Sequence, residues 1–151
     1  MTTVARASRL RKGRVSEPGR IYLITIVCHQ RNCVFADIHA GRCVVHAMRR
    51  VAVSASTLCY VVMPDHVHWL AQMNDVLSLS RSVQALKSDV TRQLRMRDPG
   101  LGPLWMKGFH DHALRREEDI VATARYVVAN PLRAGLVEKL ADYPLWDAVW
   151  I

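Results

Sequence analysis

Hydrophobic and polar positions divide the chain into four strand-like runs and three stretches of helical period. Residues 20–29 are rich in Ile, Val, Tyr and Thr and read as a strand. Residues 38–54 place Val44, Val45, Met48, Val51 and Ala52 on one side and Arg42, Arg49 and Arg50 on the other, which is a helical period. Residues 58–63 predict a second strand, Pro64-Asp65 a turn, and residues 66–73 a third strand, antiparallel to the second across so short a connection. Residues 76–97 carry Leu77, Val83, Leu86, Val90 and Leu94 at helical spacing. Arg81, Lys87, Arg92, Arg95 and Arg97 fall on the side assigned to solvent, which predicts a basic amphipathic helix. The Pro- and Gly-rich stretch 98–103 breaks it. A fourth strand is expected in the second half of 104–115. Arg116-Glu117-Glu118-Asp119 then puts acids at a helix start, where the helix dipole favours them. That helix should run to about Ala129 and end before Pro131. Residues 130–151 read as a short tail.

The order strand, helix, strand, strand, helix, strand, helix matches the split βαβ pattern of ferredoxin-like domains, in the α+β class. The expected architecture is a mainly antiparallel sheet with helices on one face, the other face open for a ligand, and a separate C-terminal helix. Residues 20–151 form the single domain, and residues 1–19 read as a basic flexible arm.

Composition narrows the choice of partner. A chain of 151 residues suits one domain, and 50% hydrophobic with 23% charged residues excludes a largely disordered protein. Lys and Arg number 21 against 13 Asp and Glu, a net charge of +8. That excess points to a polyanion, nucleic acid before membrane. No apolar run approaches the roughly 18–20 residues of a membrane span. The first twenty residues hold Arg6, Arg9, Arg11, Lys12 and Arg14 but no hydrophobic segment of a secretory signal, so a cytoplasmic protein is expected. Cys28, Cys33, Cys43 and Cys59 should then remain reduced.

Two local patterns carry chemistry. His66-Val67-His68-Trp69 lies on a predicted strand, so the two imidazoles project side by side while Val67 and Trp69 turn into a core. Imidazoles so placed suit one divalent metal, or else are two surface histidines on an open face. Tyr126 and Asn130 lie one helical turn apart on the last helix. An amide oxygen at Asn130 can complete a His-His-oxygen site for Mg²⁺ or Mn²⁺, and a phenol becomes a nucleophile when a metal stabilises the attacked group. The plainer reading is a packed tyrosine ring and an asparagine ending a helix before proline. Cys28, His29, Cys33, His39, Cys43 and His46 also crowd together, but their spacings match no compact zinc knuckle.

With the basic charge, these features resemble the single-tyrosine HUH, or IS200-like, transposases, and in particular the REP-associated tyrosine transposases of bacteria. The stretches that carry the resemblance are YVVMPDHVHWL at 60–70, LWMKGFHDHALR at 104–115 and ARYVVANPLRAGLV at 124–137. It spans about residues 20–147. The resemblance implies that His66, His68 and Asn130 bind a divalent metal, Mg²⁺ or Mn²⁺, and that Tyr126 on the C-terminal helix is the catalytic nucleophile. In the family, the tyrosine attacks a phosphodiester of single-stranded hairpin DNA of the repetitive extragenic palindrome type. It becomes linked to the 5′-phosphate and frees a 3′-hydroxyl that can reverse the reaction, so strands are cut and rejoined. The resemblance thus implies a nucleoid-associated DNA nicking and joining enzyme, acting as monomer or homodimer. The alternative is a domesticated single-stranded DNA- or RNA-binding protein without catalysis. Arg11, Lys12, Arg14, Lys87, Arg92, Arg115 and Arg133 are candidate phosphate contacts, Trp105 and Phe109 candidate base-stacking residues, and His112 a candidate DNA contact. Asp65 departs from the family, where asparagine is frequent before the first histidine.

Overall fold

The computed structural model describes residues 19–149. Its sheet is built from β1 (Ile21–Val27), β2 (Ala55–Met63), β3 (His66–Met73), β4 (His110–Leu114) and β5 (Trp146–Ala148). Their order is β4-β1-β3-β2-β5, and every neighbouring pair is antiparallel. The helices are α1 (Ile38–Arg50), α2 (Leu79–Arg97), α3 (Glu117–Val128) and the four-residue α4 (Asn130–Arg133). The first four strands with α1 and α2 give the split βαβ order read from the sequence. The basic arm, with Arg11, Lys12 and Arg14, lies outside the described residues.

Alternation along the central strands assigns the two faces. Tyr22, Ile24 and Ile26 of β1 and Val67, Trp69 and Ala71 of β3 point to one side, where Val44, Ala47 and Met48 of α1 and Val83, Leu86 and Val90 of α2 cover them. Trp69 is fully buried there, and its indole N–H donates to the Thr57 hydroxyl at 2.8 Å. The intervening residues point the other way. On that side α3 lays Ala124, Val127 and Val128 over Cys59, Val61, Met63, Leu70 and Ala148. The second face is therefore not left open along its whole length, and α3 closes the part over β2 and β5.

Three details differ from the sequence expectation. Lys87 is not on the wet side of α2. It is 8% exposed, and its ammonium donates to the carbonyls of Met106 and Gly108 at 3.1 and 2.7 Å. The spacing of α2 marks one apolar stripe but not the loop that folds over its flank. The tyrosine helix does end before Pro131, at Val128, but the tail then opens with a further short helix, α4, that contains this proline. Pro131 sits in the first turn of α4, where a missing N–H costs nothing. Finally, the tail contributes β5, which pairs Trp146, Asp147 and Ala148 with Val61, Tyr60 and Cys59. Three residues are too few to show a period of two, so only the pairing reveals them as a strand.

Candidate functional site

The short Pro64-Asp65 turn starts β3 at His66, and the strand period puts His66 and His68 on the α3 side. Their ring centroids are 4.8 Å apart, with the planes nearly perpendicular. Each imidazole is held through Nδ1. His66 Nδ1 lies 2.7 Å from Oδ1 of Asp65, and His68 Nδ1 lies 3.0 Å from Oγ1 of Thr25 on β1. Both Nε2 atoms therefore remain available to a ligand. Burial first, then the charges of His66, Arg133 and Arg31, push the His68 imidazole down to about 4. A ring held without its proton is the form that binds metal.

Asp65 also accepts from Arg31 at 3.2 Å. Partial burial works against its ionisation, but the bond to His66 and the charges of His66 and Arg31 outweigh that, and its carboxyl is held below the ordinary value. Arg31 reaches Asp65 from a tight turn in which Gln30 and Arg31 both adopt left-handed backbone conformations, with φ of 52° and 56°. Neither is a glycine, so this turn is held by its surroundings. Backbone bonds from Cys28 N to the Asp65 carbonyl and from Phe35 N to the Pro64 carbonyl tie it to the histidine turn.

Tyr126 lies on α3 with 57% of its surface exposed, while its neighbours Val127 and Val128 are buried. One turn on, the Asn130 amide nitrogen donates to the carbonyls of Val127 and Tyr126 at 2.9 and 3.4 Å. These bonds satisfy the end of α3 and leave Oδ1 as the free end of the side chain. Arg133 folds back from α4. Its guanidinium stacks 3.9 Å from the Tyr126 ring centroid and donates to the Tyr126 carbonyl at 2.8 Å. The positive charge of Arg133 is also among those that disfavour a proton on His68, after burial and the charge of His66. Among the described residues no hydrogen bond joins the phenol or Asn130 to either imidazole, and no three His, Cys, Asp or Glu side chains gather for a metal. A metal on the histidine pair would thus draw its remaining ligands from an amide, a substrate oxygen or water.

The other candidates lie elsewhere. Arg92 and Trp105 line an open groove of about 770 Å³ with Arg95 and Lys107, beside α2 on the sheet face opposite the histidines. Trp105 is half-buried, tilted against Phe35, and its indole donates to the Lys87 carbonyl. Phe109 is buried in the core and offers no ring to a base. His112 and Arg115 line a separate hollow of about 620 Å³ with Asp119. The Cys28–His46 cluster does not assemble into a metal site, and burial pushes the Cys28 thiol up to about 12.

The sequence reading missed Thr25, Arg31 and His110. His110 stands opposite Thr25, and Thr25 opposite His68, so all three share one row and one face. The signal was present in GFHDHALR, where His110 and His112 repeat the alternate spacing of His66 and His68.

The family model described as Transposase IS200 like matches residues 19–130. A Haemophilus influenzae protein described as a REP-associated tyrosine transposase is 30% identical over 102 residues, covering 58% of this chain and 56% of its own length. The REP-associated tyrosine transposase of Escherichia coli is 29% identical over 87 residues, covering 56% of this chain and 49% of its own. The chain thus spans about half the length of these curated relatives. A solved REP-associated tyrosine transposase bound to a REP hairpin has the same fold, with a TM-score of 0.74 and 22% identity, over 88% of this chain and 79% of that one.

Proposed function

The chain belongs to the IS200-like transposase family, and on that premise we propose that it is a metal-dependent enzyme that nicks and rejoins single-stranded hairpin DNA through a covalent phosphotyrosine link. The observation that carries the proposal is the pair of imidazoles, each held at Nδ1 and offering Nε2, on the sheet face covered by the helix that bears an exposed tyrosine stacked by Arg133. A divalent ion bound by His66, His68 and Asn130 would polarise the scissile phosphate as a Lewis acid.

The protein's own residues supply the rest. The Tyr126 oxygen attacks phosphorus and forms a Tyr–O–P bond to the 5′-phosphate. The bond to the 3′ oxygen breaks, the phenol proton is lost, and the leaving oxygen takes up a proton as a 3′-hydroxyl. One phosphodiester replaces another, so the link keeps the energy needed for rejoining, and the free hydroxyl reverses the step. Arg133 holds the ring that attacks and adds positive charge where the phosphate must sit. The +8 net charge favours a nucleic-acid strand on the surrounding surface. The hairpin substrate is proposed from the solved relative's REP hairpin.

Labelled hairpin oligonucleotides incubated with the protein and Mn²⁺ test the proposal. An adduct that survives a denaturing gel is expected, and Tyr126→Phe should abolish it while leaving hairpin binding within about twofold. Adduct formation by the Phe variant would remove Tyr126 as nucleophile.

A further inference from the structure

The two histidines are held in different ways, and the difference lies in what their partners can accept or donate. Thr25 offers His68 a hydroxyl, which can donate to Nδ1 or accept from it, so the contact does not choose a tautomer. Asp65 offers His66 a carboxylate, which can only accept. In the neutral ring, Nδ1 must then carry the proton, and the lone pair is placed on Nε2. Arg31 donates to the other carboxylate oxygen, Oδ2, at 3.2 Å, so the two oxygens of Asp65 are engaged by two different partners. The unusual turn at Gln30 and Arg31 brings that guanidinium across to a residue more than thirty positions further along the chain.

We infer that Asp65, anchored by Arg31, is a positioning residue that locks His66 in the tautomer and orientation competent to bind a metal through Nε2. The inference rests on the metal-site reading above and adds the device that prepares it. An amide at position 65 could present either its oxygen or its nitrogen to Nδ1 and would leave the tautomer open, as the hydroxyl of Thr25 does for His68. A carboxylate removes that freedom. Partners that orient a ligating imidazole commonly set metal affinity by one to two orders of magnitude.

Two measurements on the full chain test this. The first is ¹⁵N NMR of the His66 side chain in chelator-treated protein. The wild type should show a protonated Nδ1 and an unprotonated Nε2 in the neutral ring, and Asp65→Ala should show a mixture of tautomers. The second is a calorimetric titration with Mn²⁺. Asp65→Ala should weaken binding about 10- to 100-fold, and the near-isosteric Asp65→Asn, which keeps a possible acceptor, about 3- to 10-fold. The Asn variant guards against a failure of folding in the Ala variant. Unchanged tautomer populations, or Mn²⁺ affinities within twofold in both variants while His66→Ala still abolishes binding, would overturn the role of Asp65 and leave the metal site standing. Wild-type protein that binds no Mn²⁺, or binds it equally well as His66→Ala, would overturn the metal reading instead, with the tautomer measurement still deciding whether Asp65 holds the ring.

Discussion

The guanidinium of Arg133 lies over the ring of Tyr126, 3.9 Å from its centroid, and donates a hydrogen bond to the carbonyl of the same residue. One side chain thus grips the tyrosine at backbone and ring. A phenol more than half exposed would otherwise sample several rotamers, and small misplacements of a reacting atom are costly. Arg133→Ala is expected to lower the rate of adduct formation at least about tenfold, with hairpin affinity falling much less. Arg133→Lys should recover part of the rate, because an ammonium keeps the attraction to the ring without the planar stack. Single-turnover kinetics beside a binding titration separate the two effects.

Acid should destabilise the protein through His68. The imidazole is pushed down to about 4 in the folded chain and returns to its ordinary 6.5 on unfolding. Between those values the unfolded chain binds the additional proton, so stability rises with pH there. The contribution is complete above about 6.5 and is lost as the pH falls toward 4. Its full size is on the order of 3 kcal/mol. Urea denaturation of chelator-treated protein at several pH values between 7.5 and 4.5 should show this slope, and His68→Gln should flatten it.

Thr25→Val removes the hydroxyl beside His68 Nδ1 with almost no change in shape. The ring loses its brace, and Mn²⁺ affinity is expected to fall about threefold to tenfold while the fold is kept. Calorimetric titration beside a thermal melt distinguishes the two.

Lys87 has a structural task. Lys87→Met leaves the carbonyls of Met106 and Gly108 without their donor in a mostly buried position. A loss of about 2–3 kcal/mol in denaturant-derived stability is expected. The salt dependence of DNA binding should remain unchanged, since a cation already engaged with the protein displaces no counterion from the strand. Arg95→Ala, which removes a cation at the same groove, should have the opposite profile.

What could be read in advance was whatever depends on local periodicity. The alternation around Val67 and Trp69 placed His66 and His68 on one face, and the four-residue spacing of Tyr126 and Asn130 brought both near the end of the tyrosine helix, although Asn130 opens α4 rather than continuing α3. The partners of these residues were not legible, because they come from distant parts of the chain. Thr25 reaches His68 only through the β1–β3 register, and Arg31 reaches Asp65 only through a turn with two left-handed residues that no propensity anticipates. That Arg133 stacks on Tyr126 was not legible either, because a lone arginine after a helix carries no sign of which way its side chain turns. Lys87 misled for the opposite reason. Its helical position is polar by pattern, and only the packing of the 105–108 segment turns it inward.

The outermost position of β4 has a consequence for how the protein avoids clumping. An edge strand exposes unpaired backbone groups that invite strand addition from a second copy. Among the described residues this edge strand is five residues long and begins His110-Asp111-His112. A segment so short and polar makes a poor template, while at the other margin β5 shields Cys59–Val61. The polar run that adds imidazoles to the site face therefore also discourages fibre-like growth from the sheet.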